Sequence, residues 1–334
     1  MKICIIGGTG HYSYALSALA AGEPDAELTG IAPGSAGENV DGVLAAAGKI
    51  GLHPICFTGH PEMLDRLHPD IAVVAPYFGD NAKISAECLE RGIHVFIDKP
   101  VATTFEDLAS LRQVYDRSHA ASGVSLAAMF GIRYSAPFLT AYAAVRDGAV
   151  GQIRLMHAQK SYKLGQRGEN YKKRATYGGT IPWVGEHAID WFHWFSGAKF
   201  ASVYATHSKI ANQDNGELES TASCLYEMSD GVSATLSIDY LRPESAPTHG
   251  DDRMRIVGTK GVIGIRNDAV YLLDSVTNEI QTPMLLPARD IFTDFISQVR
   301  GQSKCMVTAD ESFYITEVAL ISRQSADEKK VISF

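Results

Sequence analysis

The sequence predicts an α/β chain of two domains: a doubly wound parallel sheet over residues 1–125, then an α+β domain with a large, open, mainly antiparallel sheet over residues 126–334. Three observations predict it. Short, continuously apolar strands alternate with helical runs five times in the first half, the pattern of a parallel sheet buried on both faces. A glycine loop joins the first strand to the first helix. Beyond residues 121–135 several strands alternate apolar and polar residues instead, as an antiparallel sheet with one wet face does.

Residues 2–6 read Lys-Ile-Cys-Ile-Ile, a short buried strand, and Gly7-Gly8-Thr9-Gly10-His11-Tyr12-Ser13 leads into a helical run over 14–20. Glycines let a diphosphate approach the backbone, and the helix N-terminus offers free N–H groups and a positive dipole end. Read from Gly8, the G-x-G-x-x-G pattern gives Gly8, Gly10 and then Ser13 in place of the third glycine. Gly8, Thr9, Gly10, His11 and Tyr12 are candidate cofactor-binding residues; a tight turn without ligand is the competing reading of the loop alone. The second strand, 26–32, ends in Ala32-Pro33-Gly34-Ser35. A dinucleotide fold often places an acid there for the adenosine ribose. None is present and no Arg follows closely, so Ala32 and Ser35 are candidates for a ribose or a 2′-phosphate, and NAD or NADP stays open.

A helix over 43–49, a strand over 54–57 and a helix over 61–67 follow. The strand at 71–75 is stopped by Pro76, which with Tyr77 joins the cofactor candidates. A helix over 81–91 ends at Gly92. The fifth strand, His94-Val95-Phe96-Ile97, stops abruptly at Asp98-Lys99-Pro100. Pro100 cannot donate to a ladder and keeps Lys99 out of the helical region. One ammonium is left at the carboxyl edge of the sheet, where open α/β sheets bind ligands. The Lys99–Pro100 bond is a candidate for the cis form. Asp98 and Lys99 complete the cofactor-facing set. Thr103 or Thr104 caps a helix to about residue 118, and 123–129 is a sixth strand.

In the second half the spacing predicts a helix over 137–146, strands at 153–162, 202–207, 221–228, 232–240, 254–257, 262–266 and 270–273, and helices over 182–196, 288–300 and 309–325. Composition fits an ordinary globular chain of 334 residues, 46% hydrophobic and 20% charged. A net charge of −8 with no basic run argues against nucleic acid or an anionic membrane as main partner. The five cysteines, Cys4, Cys56, Cys88, Cys224 and Cys305, are scattered; reduced, buried thiols in a cytoplasmic protein are the simplest account. Residues 1–22 are broken by glycines, so no signal peptide is expected, nor any membrane span.

Gly178-Gly179-Thr180-Ile181-Pro182-Trp183-Val184-Gly185-Glu186-His187-Ala188-Ile189-Asp190 carries the second concentration of chemistry. On a helix His187 and Asp190 share a face. An imidazole near neutrality can take a proton from an alcohol while hydride leaves its carbon, and Lys99 can stabilise charge on the same oxygen. His187, Asp190 and His193 could be misread as a metal set, but positions 187 and 193 diverge around a helix and no metal is expected.

The glycine loop, Asp98-Lys99-Pro100 and the Gly-Gly…Gly-x-His-x-x-Asp stretch together resemble the Gfo/Idh/MocA oxidoreductases, over nearly the full length and in domain order. The family's usual Glu-Lys-Pro stands here as Asp98-Lys99-Pro100. The resemblance implies a Rossmann domain, a C-terminal domain with an open antiparallel sheet, and NAD(P)-linked chemistry on sugars, inositols or related polyols. It also implies homodimers or homotetramers through the exposed sheet face. Lys99 and His187 carry over as catalytic residues, and Asp190 matches the carboxylate after the His, a substrate-binding candidate. Two residues before the Gly of Gly-x-His the family usually has Asp; here Trp183 stands. Trp183 can stack on the apolar face of a sugar ring or pack the helix start. Glu186 stands where the family is usually apolar, either as a compensating polar group or, the stronger expectation, as a solvated charge. Tyr162, at a strand end, and Tyr177, before the glycine pair, are further substrate candidates. Arg167, Lys172, Lys173 and Arg174 make the intervening loop basic, either as a solvated loop or as an attraction for a carboxylated or phosphorylated sugar. Two other readings stand beside the dehydrogenase: a nucleotide-binding regulator on the same scaffold, and an enzyme using redox chemistry transiently for elimination or glycoside cleavage.

Overall fold

The computed structural model describes residues 1–276, 278, 280–281 and 284–334. In chain order the strands are β1 Lys2–Ile6, β2 Glu27–Ala32, β3 Ile55–Cys56, β4 Ile71–Val74, β5 His94–Ile97, β6 Leu126–Ala128, β7 Ile153–Tyr162, β8 Phe200–Ser208, β9 Thr221–Met228, β10 Ser233–Asp239, β11 Gly250–Gly258, β12 Gly261–Arg266, β13 Ala269–Asp274, β14 Ile280–Gln281 and β15 Ile332–Ser333. The helices are α1 Ser13–Ala20, α2 Asp41–Lys49, α3 His60–Leu67, α4 Asn81–Glu90, α5 Phe105–Ser122, α6 Ala136–Arg146, α7 Arg174–Tyr177, α8 Glu186–Ser196, α9 Ile291–Val299 and α10 Ala309–Glu328. The chain divides into two compact units: residues 1–131, 175–178 and 290–316, and residues 132–174, 179–289 and 317–334.

The first unit holds a six-stranded, all-parallel sheet in the order β3-β2-β1-β4-β5-β6. Its central strands are apolar without alternation because both faces are covered: Ile3, Ile5, Ile71, Val73, Val95 and Phe96 have no exposed surface. Strand order reverses between β1 and β4, the switch point where such sheets bind ligands. The sequence predicts one domain over 126–334, whereas 290–316 group with the first unit. The cause is apolar packing: Phe292 and Phe295 of α9 lie 5.1 and 5.5 Å from the ring of Phe96 in β5.

The second unit is built on a nine-stranded mixed sheet, ordered β14-β13-β12-β11-β7-β10-β9-β8-β15. Only β7 and β10 run parallel; the other neighbours are antiparallel. β9 alternates strictly, with Ala222, Cys224, Tyr226 and Met228 buried. α8 packs on β7 and β10 from that buried side.

Several boundaries differ from expectation. α5 continues to Ser122 and closes on Gly123 in the left-handed conformation, with Thr104 as its cap accepting from the Asp107 N–H. The run 54–57 pairs only at Ile55–Cys56. α9 starts at Ile291, because the Asp290 side chain caps it. The two-residue strands β14 and β15 are too short to carry a period. Cys56 is exposed, unlike the other four free cysteines. Among the described residues no helix is long and apolar enough to cross a membrane.

Candidate active site

In the first unit the site begins where β1 and β4 end side by side. Gly7 has φ +92°, and a Cβ there would strike the Pro76 backbone. A Cβ on Gly10 would strike the Asp98 carboxylate. The Gly7 N–H donates to the Ala32 carbonyl at 2.8 Å, and those of Thr9 and Gly10 both donate to the Ala75 carbonyl at 3.1 Å. The loop is thereby folded back on the strand ends. The N–H groups of Tyr12 and Ser13, at the start of α1, have no acceptor among the described residues. Two open amides at a helix N-terminus, in a turn that only glycine permits, fit a dinucleotide diphosphate.

Asp98 closes the other side. Its carboxylate accepts from the His11 N–H at 2.9 Å and the Lys99 N–H at 2.8 Å, and lies 2.8 Å from His11 Nδ1. Burial alone pushes its carboxyl up; the His11 imidazole and the Lys99 charge outweigh burial and hold it below the ordinary range. Burial, with Asp98 and Asp290 nearby, drives the Tyr14 hydroxyl up to about 12. Asn81 donates to the Asp98 and Pro100 carbonyls at 3.0 and 2.8 Å, bracing the turn in which Lys99, buried itself, stands. The Lys99–Pro100 bond is cis.

The sequence reading found no acid after β2, but one arrives from farther along. Glu38 accepts from the Gly8 N–H at 2.9 Å, the Thr9 hydroxyl at 2.7 Å, and the N–H groups of Gly34 and Ser35 at 3.0 and 3.1 Å. The Ser35 hydroxyl in turn donates to Asp80 at 2.6 Å and accepts from the Tyr77 N–H at 3.0 Å. Burial and the Glu38 charge raise the Tyr77 hydroxyl. Only the run of tight-turn residues before Glu38 hinted that the chain doubles back.

In the second unit a π-helical turn, Ile181–Gly185, feeds α8, which carries His187 and Asp190. Asp190 is wholly buried. Arg133 Nε lies 2.8 and 3.0 Å from its two oxygens, and the Arg133 Nη2 contact is shorter still. A residue expected to face substrate is thus gripped by a guanidinium that sequence reasoning missed. Glu186, expected in solvent, has no exposed surface, because the helix start lies against β10, as the closeness of Gly185 to Leu236 and Ile238 shows. His193 Nδ1 lies 2.8 Å from the Ala198 carbonyl, and among the described residues no group of acidic, His or Cys side chains could hold a metal.

Trp183 sits 4.7 Å from Tyr171 and 6.1 Å from Tyr240, ring to ring. The Tyr162 hydroxyl donates to Asp252 at 3.0 Å. Asp252 also pairs with Lys160, a wholly buried lysine whose ammonium lies 4.8 Å from the Trp191 ring. Burial lowers that ammonium's proton affinity, and Asp252 offsets part of the effect. Lys160 was legible in principle: it follows Met156 and Ala158 on the inward register of β7. Tyr177 is fully buried and belongs to the first unit. A cavity of about 710 Å³ lies elsewhere in the second unit, on the open sheet face among His157, Tyr204, Leu225, Arg255 and Leu273.

A parallel sheet ending in such a glycine turn at its switch point, joined to a second unit with a helix-borne histidine, defines a pyridine-nucleotide oxidoreductase. The chain belongs to the Gfo/Idh/MocA family. The model described as oxidoreductase family, NAD-binding Rossmann fold, matches residues 1–125, and the GFO/IDH/MocA C-terminal domain matches residues 138–264. A solved structure from Thermotoga maritima, described as an oxidoreductase, is 51% identical, with a TM-score of 0.95 and full coverage of both chains. The WlbA dehydrogenase from Chromobacterium violaceum, solved with NADH and UDP-GlcNAcA, shares the fold at 19% identity and a TM-score of 0.81, covering 100% of this chain and 96% of its own. A glycosyl hydrolase family 109 protein from Akkermansia muciniphila is 29% identical over 127 residues, 37% of this chain. The chain spans between 25% and 42% of the length of the curated relatives it matches.

Proposed function

We propose that this oxidoreductase moves hydride between a nicotinamide and a CH–OH or carbonyl carbon of a sugar, inositol or related polyol. Bound nucleotide supplies the hydride acceptor or donor at C4 of its ring. Gly8, Thr9, Gly10, His11 and Tyr12 shape the diphosphate turn, and the open amides of Tyr12 and Ser13 are the observation that carries this reading. Ala32, Ser35, Pro76 and Tyr77 line the adenosine side, and Asp98 fixes the turn from which Lys99 works. The Lys99 ammonium holds the substrate oxygen and stabilises charge on it; His187 exchanges the hydroxyl proton. Asp190, held by Arg133, positions α8 rather than touching substrate. Trp183, Tyr162 and Tyr177 bound the substrate space.

NAD is favoured over NADP. Glu38 already accepts four hydrogen bonds, so its role is charge: beside Asp80 and Ser35, it repels a 2′-phosphate. We also infer a cytoplasmic homodimer or homotetramer closed over the open sheet face, where Tyr204 and Leu225 are 42% and 50% exposed. A monomer by light scattering at micromolar concentration would remove that part.

The test uses purified protein, NADH and NADPH titrations, and a panel of polyols and sugar acids. Lys99→Met and His187→Ala each lower kcat by about 10²–10⁴-fold while NADH binding and folding persist; unchanged turnover in either variant removes that residue's role. The likeness to a glycosyl hydrolase supports a second reading, transient oxidation during glycoside cleavage. It requires nucleotide to copurify, seen as absorbance, and an aryl glycoside to be cleaved.

A further inference from the structure

The stretch between β7 and α8 carries five cations, and the structure separates them. Lys163 donates to the Glu244 carbonyl at 2.7 Å. Lys172 pairs with Glu169 at 2.6 Å. Arg174 pairs with Asp327 and Glu219. Lys173 is engaged as well. Arg167 has no anionic partner among the described residues. Among the described residues its single protein hydrogen bond is a long one, 3.4 Å from Nη2 to the Lys163 carbonyl, and its buried Nε has no acceptor.

What surrounds Arg167 instead is aromatic. The guanidinium carbon lies 5.1 Å from the ring of Tyr240, 5.3 Å from that of Trp183 and 5.6 Å from that of Tyr171. Ring faces compensate in part for a cation's lost water, but they supply no acceptor for its five N–H donors. A half-desolvated guanidinium with unmet donors is a standing site for an oxyanion, and its planar fork matches a carboxylate or phosphate. Nor can Asp252, which Tyr162 of the same aromatic cluster reaches, serve as its counter-ion: Lys160 and Tyr162 already match that carboxylate. The rings have a second use. Trp183 lies four residues before His187 on one continuous helical segment and keeps an exposed edge, 9% of its surface, where a sugar can rest.

We propose that Arg167 is the specificity-determining residue of this site and that the substrate is an anionic sugar or cyclitol, its carboxylate or phosphate held by the Arg167 guanidinium and its ring by Trp183. This rests on the polyol reading above. It replaces the broad attraction of a basic loop by one directed contact.

The test is calorimetric titration of NADH-loaded protein with glucuronate, gluconate, glucose 6-phosphate and inositol 1-phosphate, against glucose and inositol. The wild type binds at least one anionic probe about 10-fold or more tightly than its neutral counterpart. Arg167→Gln collapses that ratio by about 10- to 100-fold, the loss of a charge-assisted contact. Arg167→Lys restores part of it, more for phosphate than for carboxylate. Lys172→Gln leaves the ratio alone. A wild type without charge preference, or an Arg167→Gln ratio equal to wild type, overturns the proposal, and Arg167 is then a plug for the aromatic cage. NADH binding recorded in the same samples tells the failures apart: nucleotide bound without charge preference sinks only the anion, whereas no nucleotide bound sinks the oxidoreductase reading with it.

Discussion

Asp98 and Asp190 are both buried carboxylates beside a residue proposed to work, Lys99 in one unit and His187 in the other, and they are held in opposite ways. Asp98 leans on two backbone N–H groups and on His11, whose side chain is 39% exposed. Asp190 is gripped by Arg133, which is wholly buried. The partner of Asp98 is a half-exposed side chain, whereas that of Asp190 is sealed in the core. The nucleotide half therefore holds its carboxylate at the rim that a diphosphate must reach. The sheet half locks its carboxylate, and with it the pitch of α8, before any ligand comes.

The largest effect should come from the locked pair. Arg133→Met leaves Asp190 buried without its guanidinium and costs about 3–5 kcal/mol in urea unfolding, and adding Asp190→Leu recovers most of it. A loss below 1 kcal/mol for the single variant would break the contrast between the two carboxylates. Next comes the charge at the nucleotide rim. Glu38→Gln narrows the preference for NADH over NADPH by about 10-fold, the size of a like-charge repulsion at partly screened range; an unchanged ratio removes Glu38 from cofactor choice.

The smallest effect belongs to His11. His11→Ala costs about 1 kcal/mol at neutral pH, since the backbone donors to Asp98 remain. Its signature is in acid. The Asp98 carboxyl is held below its unfolded value, so its stabilising contribution is complete above the unfolded value of about 4 and is lost as pH falls through the lower folded value. Removing His11 moves that loss to higher pH. Stability measured by urea from pH 2.5 to 6 shows the shift, and superimposable profiles for variant and wild type would contradict it.

The site divides along the same line in what could be read ahead of the structure. Around Lys99 the information is local. An apolar strand ended by proline, and glycines where Gly7 and Gly10 have no room for a Cβ, state their geometry within a few residues. Around His187 it is not. Arg133 lies 57 residues from Asp190, and Lys160 lies 92 from Asp252. Nothing in periodicity says which buried charge will meet which. Glu38, 30 residues from Gly8, shows the same limit inside the nucleotide half. A carboxylate need not follow the strand it serves when a turn can carry it back.

By itself the sequence determined the two sheets, their order along the chain and the turn that presents Lys99, because hydrophobic period, proline and glycine act through the backbone over short spans. Tertiary structure alone decided that Asp190 is spoken for, that Glu186 is buried, that α9 returns to the first sheet, and that one arginine of a basic loop has no anion beside it among the described residues. Those outcomes depend on desolvation and on which side chains arrive at a shared point in space, and neither quantity is carried by neighbours in sequence.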